Sequence, residues 1–209
     1  MRWILFYMLA FLSFTSMRAQ KECNIWYFGN GAGIDFNYTP PIALVNSNMY
    51  TPEGCSSIAD SNGNLLFYTD GIKVYDRTHT VMPNGSGLLG NSSSTQSAII
   101  VPNPGDSNIY YIFTADCAEN SFLNGYNYSV VDMRLNNNLG NITAQKNIPL
   151  YKPCTERLTA VKAANGIDYW VITKGLNNNS FLAYKIDCSG INLTPVVSNA
   201  GRVHTYDPD

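Results

Sequence analysis

A turn followed by an aromatic, β-branched run occurs three times in this chain: Asn62-Gly63-Asn64-Leu65-Leu66-Phe67-Tyr68-Thr69, Pro104-Gly105-Asp106-Ser107-Asn108-Ile109-Tyr110-Tyr111-Ile112-Phe113-Thr114, and Asn165-Gly166-Ile167-Asp168-Tyr169-Trp170-Val171-Ile172-Thr173. A shorter apolar run precedes each copy, at Ser56 to Ala59, Ala98 to Val101 and Thr159 to Ala163. Each pair reads as a β-hairpin. An isolated hairpin buries too little apolar surface to persist in water, so the units must stack on one another. No stretch after the first 20 residues sustains helical periodicity. The fold class is therefore all-β.

The second unit extends through Ile72 to Asp76, the third through Tyr126 to Leu135, and the fourth through Phe181 to Asp187. Asn24 to Gly29 and Ile34 to Asn37 form an incomplete first unit, with outer strands near Ile142 to Ile148 and Thr194 to Ser198. Units spaced roughly 45 to 60 residues apart predict a partial β-propeller of about three to four antiparallel blades. A sandwich would also give many short strands, but would not need the same hairpin to recur. Propellers close with about 4 to 8 blades, so the spacing predicts a truncated ring.

Met1-Arg2, an apolar stretch from Trp3 to Phe14 and then Thr15-Ser16-Met17-Arg18-Ala19-Gln20 follow the layout of a secretory signal peptide. About 12 apolar residues fall short of the roughly 20 that span a bilayer as a helix. Cleavage near Ala19 or Gln20 is expected, leaving 21–209 as one domain; an uncleaved anchor or a buried helix is the alternative. Lys21 and Glu22, directly before Cys23, argue against a lipoprotein site. The expectation is a secreted or cell-surface protein with no membrane span once the leader is removed.

Charged residues make up 13% of the chain and the formal charge is -2, with Lys and Arg scattered singly. That excludes the basic stripe that nucleic-acid binding requires. Solubility must come from uncharged polar residues. Asn recurs in runs at Asn136-Asn137-Asn138 and Asn177-Asn178-Asn179, where its tolerance of positive φ suits tight turns. The five cysteines (Cys23, Cys55, Cys117, Cys154 and Cys188) show no zinc-type spacing, and no metal or other cofactor is expected. Buried free thiols and a single disulfide, with Cys117 to Cys154 as the conceivable pair, are the two readings of this set.

Aligning the units by their turns puts Glu53, Gln96 and Glu156 just before the innermost strands, with Thr51, Thr95 and Thr155 close by. The ends of the second strands, at Asp70, Asp116 and Lys174, return to the same face. In a propeller these side chains would rim one mouth of the channel and could bind a cation or a polar ligand such as a sugar. They could equally tie turns and neighbouring blades together. His79 reads as a solvated loop histidine and His204 as lying at a frayed end, so neither suggests a catalytic base. Ser92-Ser93-Ser94 and Gly85-Ser86-Gly87 match no nucleophile elbow or phosphate loop. The stretch Pro83 to Ser97 reads as an exposed loop between blades, open to ligand contact.

Asn24 to Phe36, Asp60 to Gly71, Val81 to Gly85 and above all Leu88-Leu89-Gly90-Asn91-Ser92-Ser93-Ser94-Thr95-Gln96-Ser97-Ala98-Ile99-Ile100-Val101-Pro102 resemble the N-terminal region of very large secreted Bacteroidetes proteins. Leu158 to Lys162 and Pro195 to Asn199 continue the resemblance, which reaches about His204. It implies a propeller-like region followed by immunoglobulin-like modules and a C-terminal sorting domain of the type IX, gliding-motility-associated kind, absent here. It carries over no catalytic residues. The expected function is a non-enzymatic binding or scaffold module for a surface protein or glycan, with further domains downstream. The alternatives are a polysaccharide hydrolase or lyase using Glu53 and Glu156 as paired carboxylates, or an inert gene fragment.

Overall fold

The computed structural model describes residues 21–205, so the expected leader lies outside the described residues. Among the described residues, seventeen strands form four antiparallel sheets. The first contains β1 (Ile25–Phe28), β2 (Ala32–Asp35) and β3 (Ile42–Leu44). The second contains β4 (Ser56–Ala59), β5 (Leu65–Thr69), β6 (Lys73–Asp76) and β7 (Val81–Ser86). The third contains β8 (Ala98–Asn103), β9 (Asp106–Ala115) and β10 (Tyr126–Asp132), with β11 (Asn141–Ile142) and β12 (Ile148–Tyr151) both paired to β10. The fourth contains β13 (Cys154–Lys162), β14 (Tyr169–Gly175) and β15 (Asn178–Asp187), with β16 (Gly190–Ile191) and β17 (Val196–His204) both paired to β15. The first three strands of each sheet form a meander in sequence order. No sheet closes on itself.

The alternation of side chains along a strand explains how the meanders stack. On β5, Phe67 packs toward the third sheet with Ile112 and Val131, while its neighbour Tyr68 packs toward the first with Tyr27 and Met49. On β9, Tyr110 and Ile112 face the second sheet, whereas Tyr111 and Phe113 face the fourth, against Val171 and Tyr184. Three apolar clusters thus join four sheets in chain order. The first strands adjoin in the same order, β1 with β4, β4 with β8 and β8 with β13. Outer strands add polar ties: Asn84 Nδ2 donates to the Ile142 and Thr143 carbonyls, and Lys146 Nζ to the Ser86 carbonyl.

The two end faces have no such neighbour among the described residues. Trp26, Ile34 and Ala43 share the outward side of the first sheet, where Trp26 is 51% exposed, donates its indole N–H to the Cys23 carbonyl and meets the edge of Phe36, 5.1 Å between ring centroids. On the fourth sheet, Val161, Trp170, Ile172 and Phe181 lie on the side away from the core, and Val161 and Phe181 are 49% and 39% exposed.

Turn chemistry follows the composition. Asn136, Asn137 and Asn138 hold successive left-handed φ values of 51°, 55° and 61°, which makes the short segment Leu135–Asn138 a left-handed turn that ends the strand expected to reach Leu135. Gly71 has φ 86°, and a Cβ there would lie 2.0 Å from Ser97 Oγ, so the turn can approach the next sheet only as glycine.

Three boundaries differ from expectation. Pro83 to Ser86 belong to β7 rather than to a loop, since the exposed edge of the sheet tolerates Pro83. The short strand β3 follows a Thr39-Pro40-Pro41 run that masks it in the sequence. His204 is not frayed: β17 runs through it, and His204 pairs with Asn178 of β15.

Candidate functional site

The residues proposed for a channel rim lie at one end of the sheets, and most are engaged in structure. Glu156 spans the junction of the third and fourth sheets. Its Oε2 accepts from Thr95 N (2.8 Å) and Thr95 Oγ1 (2.5 Å), and its Oε1 accepts from Ala118 N (3.0 Å). Gln96 ties the same junction in the other direction, its Oε1 accepting from Leu158 N at 2.9 Å. Asp70 Oδ1 accepts from Ile72 N and Lys73 N, closing the β5–β6 turn. Asp116 is fully buried; its Oδ1 accepts from Cys117 N and its Oδ2 from Asn120 Nδ2 and Asn124 N. Glu53 is exposed. The geometry brings Gln96 and Glu156 to one junction and uses both as ties between sheets.

Turn formation takes most of the remaining carboxylates as well. Asp35, Asp60, Asp76, Asp106, Asp132 and Asp187 each accept from a backbone N–H two residues on. This is the local bond that makes Asp a turn residue. Asp168 is instead ion-paired to Lys185 at 2.9 Å, across the β14–β15 ladder.

The five cysteines are free thiols, and the Cys117–Cys154 bridge is not formed. Both are fully buried and behave as small core residues; burial pushes the Cys154 thiol up to about 12. Among the described residues, no group of three His, Cys, Asp or Glu side chains is placed to hold a metal ion. No helix among them is long and apolar enough to cross a membrane.

His79 lies in a loop, as expected, but is half-buried and bonded rather than free in solvent. It sits at φ 66° in the β6–β7 turn, with Nε2 2.8 Å from Asn46 Nδ2 and Nδ1 3.1 Å from Tyr68 Oη. Its ring also meets the edge of Tyr27. Burial lowers its pKa below the ordinary 6.5, opposed by the nearby Asp76 charge. The Asn46 amide donates to Nε2, which requires that nitrogen to be unprotonated. Thus His79 fastens the first sheet to the second.

An open concavity lies where the first and second sheets meet, at the opposite end of the second sheet from the Asp70 turn. It is an open cleft of about 550 Å³ lined by Lys21, Asp35, Asn37, Tyr38, Asn62, Asn64 and Arg77, among others. Asn37 fixes its floor by accepting from Asn24 Nδ2 through Oδ1 and donating from Nδ2 to the Gly63 carbonyl. Gly63 must lack a side chain here, because a Cβ would lie 2.1 Å from Asn37 Oδ1. Among the described residues Asp35 commits only Oδ1, to Asn37 N and Nδ2, and Arg77 commits Nη1 to the Asn138 carbonyl at 2.5 Å. Tyr38 offers a ring that is 56% exposed. None of these residues stands out in the sequence, because they come from four separate segments. The only signal there is the clustering of Asn, Asp and Gly that marks turns in general.

No family model, curated protein or solved structure matches the chain.

Proposed function

We propose that the protein is an exported binding and scaffold module whose four meanders are consecutive blades of an open β-propeller. The cleft between the first two sheets carries the binding half of this reading. It combines an exposed aromatic ring, carboxamides and charges of both signs on turns held by a rigid stack, the residue types that take up a hydroxyl-rich ligand such as a glycan. The blade reading is supported by the adjoining first strands and by the two uncovered apolar end faces. Edge and face surfaces of that kind are what a ring presents when it lacks neighbouring blades. The ties made by Glu156 favour binding over catalysis by paired carboxylates, since both its oxygens are already committed.

In this reading the chain is the N-terminal part of a longer surface protein of the secreted Bacteroidetes kind, delivered outside the cell by its leader. Screening the chain on a glycan array tests the function. Binding that falls about tenfold or more in Tyr38→Ala and Arg77→Ala is the expected outcome. No retained glycan, or retention unaffected by both substitutions, would refute it.

A further inference from the structure

A second recess lies at the inner edge of the fourth sheet, about 120 Å³ in volume and lined by Gln96, Arg157, Thr159, Lys174 and Phe181, among others. Lys174 is 3% exposed yet has no carboxylate partner among the described residues. Its ammonium donates to the Asn178 carbonyl at 2.9 Å and stands 5.4 Å from the centroid of the Phe181 ring. Among the described residues, those two contacts leave part of a three-donor group unpaired. A buried charge without a counter-charge is costly, and a second cation beside it raises the cost.

That second cation is Arg157, which lines the same recess. His204 pairs with Asn178, whose carbonyl Lys174 binds, and burial, then Arg157, Lys174 and Arg202, hold its imidazole below the ordinary pKa. Burial and Arg157 likewise lower that of Lys174. Two basic groups, Lys174 and Arg157, therefore share one small recess with an aromatic wall. The carboxylate closest in sequence, Glu156, is turned to Thr95 and Ala118.

We propose that this recess binds a carboxylate, held between the Lys174 ammonium and the Arg157 guanidinium against the Phe181 ring. An arginine fork and an ammonium together match the two oxygens of a carboxylate through charge-assisted hydrogen bonds. The group can come from a free acidic ligand such as a uronic acid, or from Asp207 or Asp209 of the same chain, which follow closely after His204 in sequence. The inference needs the recess alone and stands whether or not the propeller reading holds.

The test is NMR titration with sodium glucuronate against sodium chloride at matched ionic strength, reading the Arg157 Nε–H and the Lys174 and Phe181 amides. Wild type and an Asp207→Asn/Asp209→Asn variant are compared. Saturable shifts in both, of equal strength, identify a free carboxylate as the occupant. Binding that appears or tightens only in the variant identifies the chain's own aspartates. Lys174→Met and Arg157→Gln should each weaken glucuronate binding about tenfold or more. Because Arg157 is exposed, its variant keeps the test informative if Lys174→Met misfolds. No saturable shift in either background, or shifts reproduced by chloride, would overturn the proposal.

Discussion

Replacing Glu156 separates a tie between sheets from a ligand-binding rim. In the wild type its two oxygens take three hydrogen bonds from the third sheet's side of the junction: Thr95 N, Thr95 Oγ1 and Ala118 N. A hydrogen bond to a charged group contributes about 1.5–3 kcal/mol net, and solvent at this half-exposed junction discounts the Thr95 pair. Glu156→Ala also leaves the Ala118 N–H without its acceptor, at a cost of about 1–3 kcal/mol if water cannot replace it. The expected destabilisation is about 2 kcal/mol, or roughly 4–8 °C in Tm for a chain of this size. Urea unfolding should show the midpoint falling with an unchanged slope, because the exposed surface does not change.

Thr95→Val removes one of the three donors. A double-mutant cycle should then give a coupling of about 1 kcal/mol between the two positions. Glu156→Gln should recover only part of the loss, since its amide nitrogen meets donors where an oxygen was. A Glu156→Ala protein within about 0.3 kcal/mol of wild type, or a coupling of zero, would refute the tie and return Glu156 to the pool of free carboxylates.

Two further outcomes follow from the stack. Phe113, fully buried between the third and fourth sheets, should cost about 3–5 kcal/mol when changed to Ala, whereas Phe181→Ala on the uncovered face should cost less than about 1 kcal/mol; equal losses in urea unfolding would contradict the assignment of faces. Burial pushes the phenols of Tyr75, Tyr110 and Tyr184 up from 10.0 to about 12, so the unfolded chain releases these protons first; stability should hold below pH 10 and fall as pH rises from 10 toward 12, with the depressed Lys174 pKa opposing weakly, and unfolding curves that do not move over that interval would count against the burial.

The hairpins were legible because turn residues and period-two apolar runs are local signals: Ser56–Ala59 and Leu65–Thr69 form strands with the bounds the pattern gives. β17 was legible only in part, since its residues are almost all exposed and lack alternation; pairing with β15 makes them a strand. The same holds for the sites. Equivalence between repeats set Gln96 and Glu156 at matching positions, yet no spacing rule says whether such a side chain meets a ligand or, as here, a neighbouring backbone N–H. His79 looked like a loop residue, and only the approach of Asn46 and Tyr68 from other elements makes it a fastening. The polar cleft is assembled from turns distant in sequence, which local patterning cannot join.

An X-ray structure of the chain would decide the order of the sheets. It should find Phe67 and Ile112 in one interface, Phe113 and Tyr184 in the next, and the Trp26 and Phe181 faces at opposite ends of the stack. Two sheets closed over a single core, or the Trp26 face seated on the Phe181 face of the same chain, would be incompatible with an open series of blades.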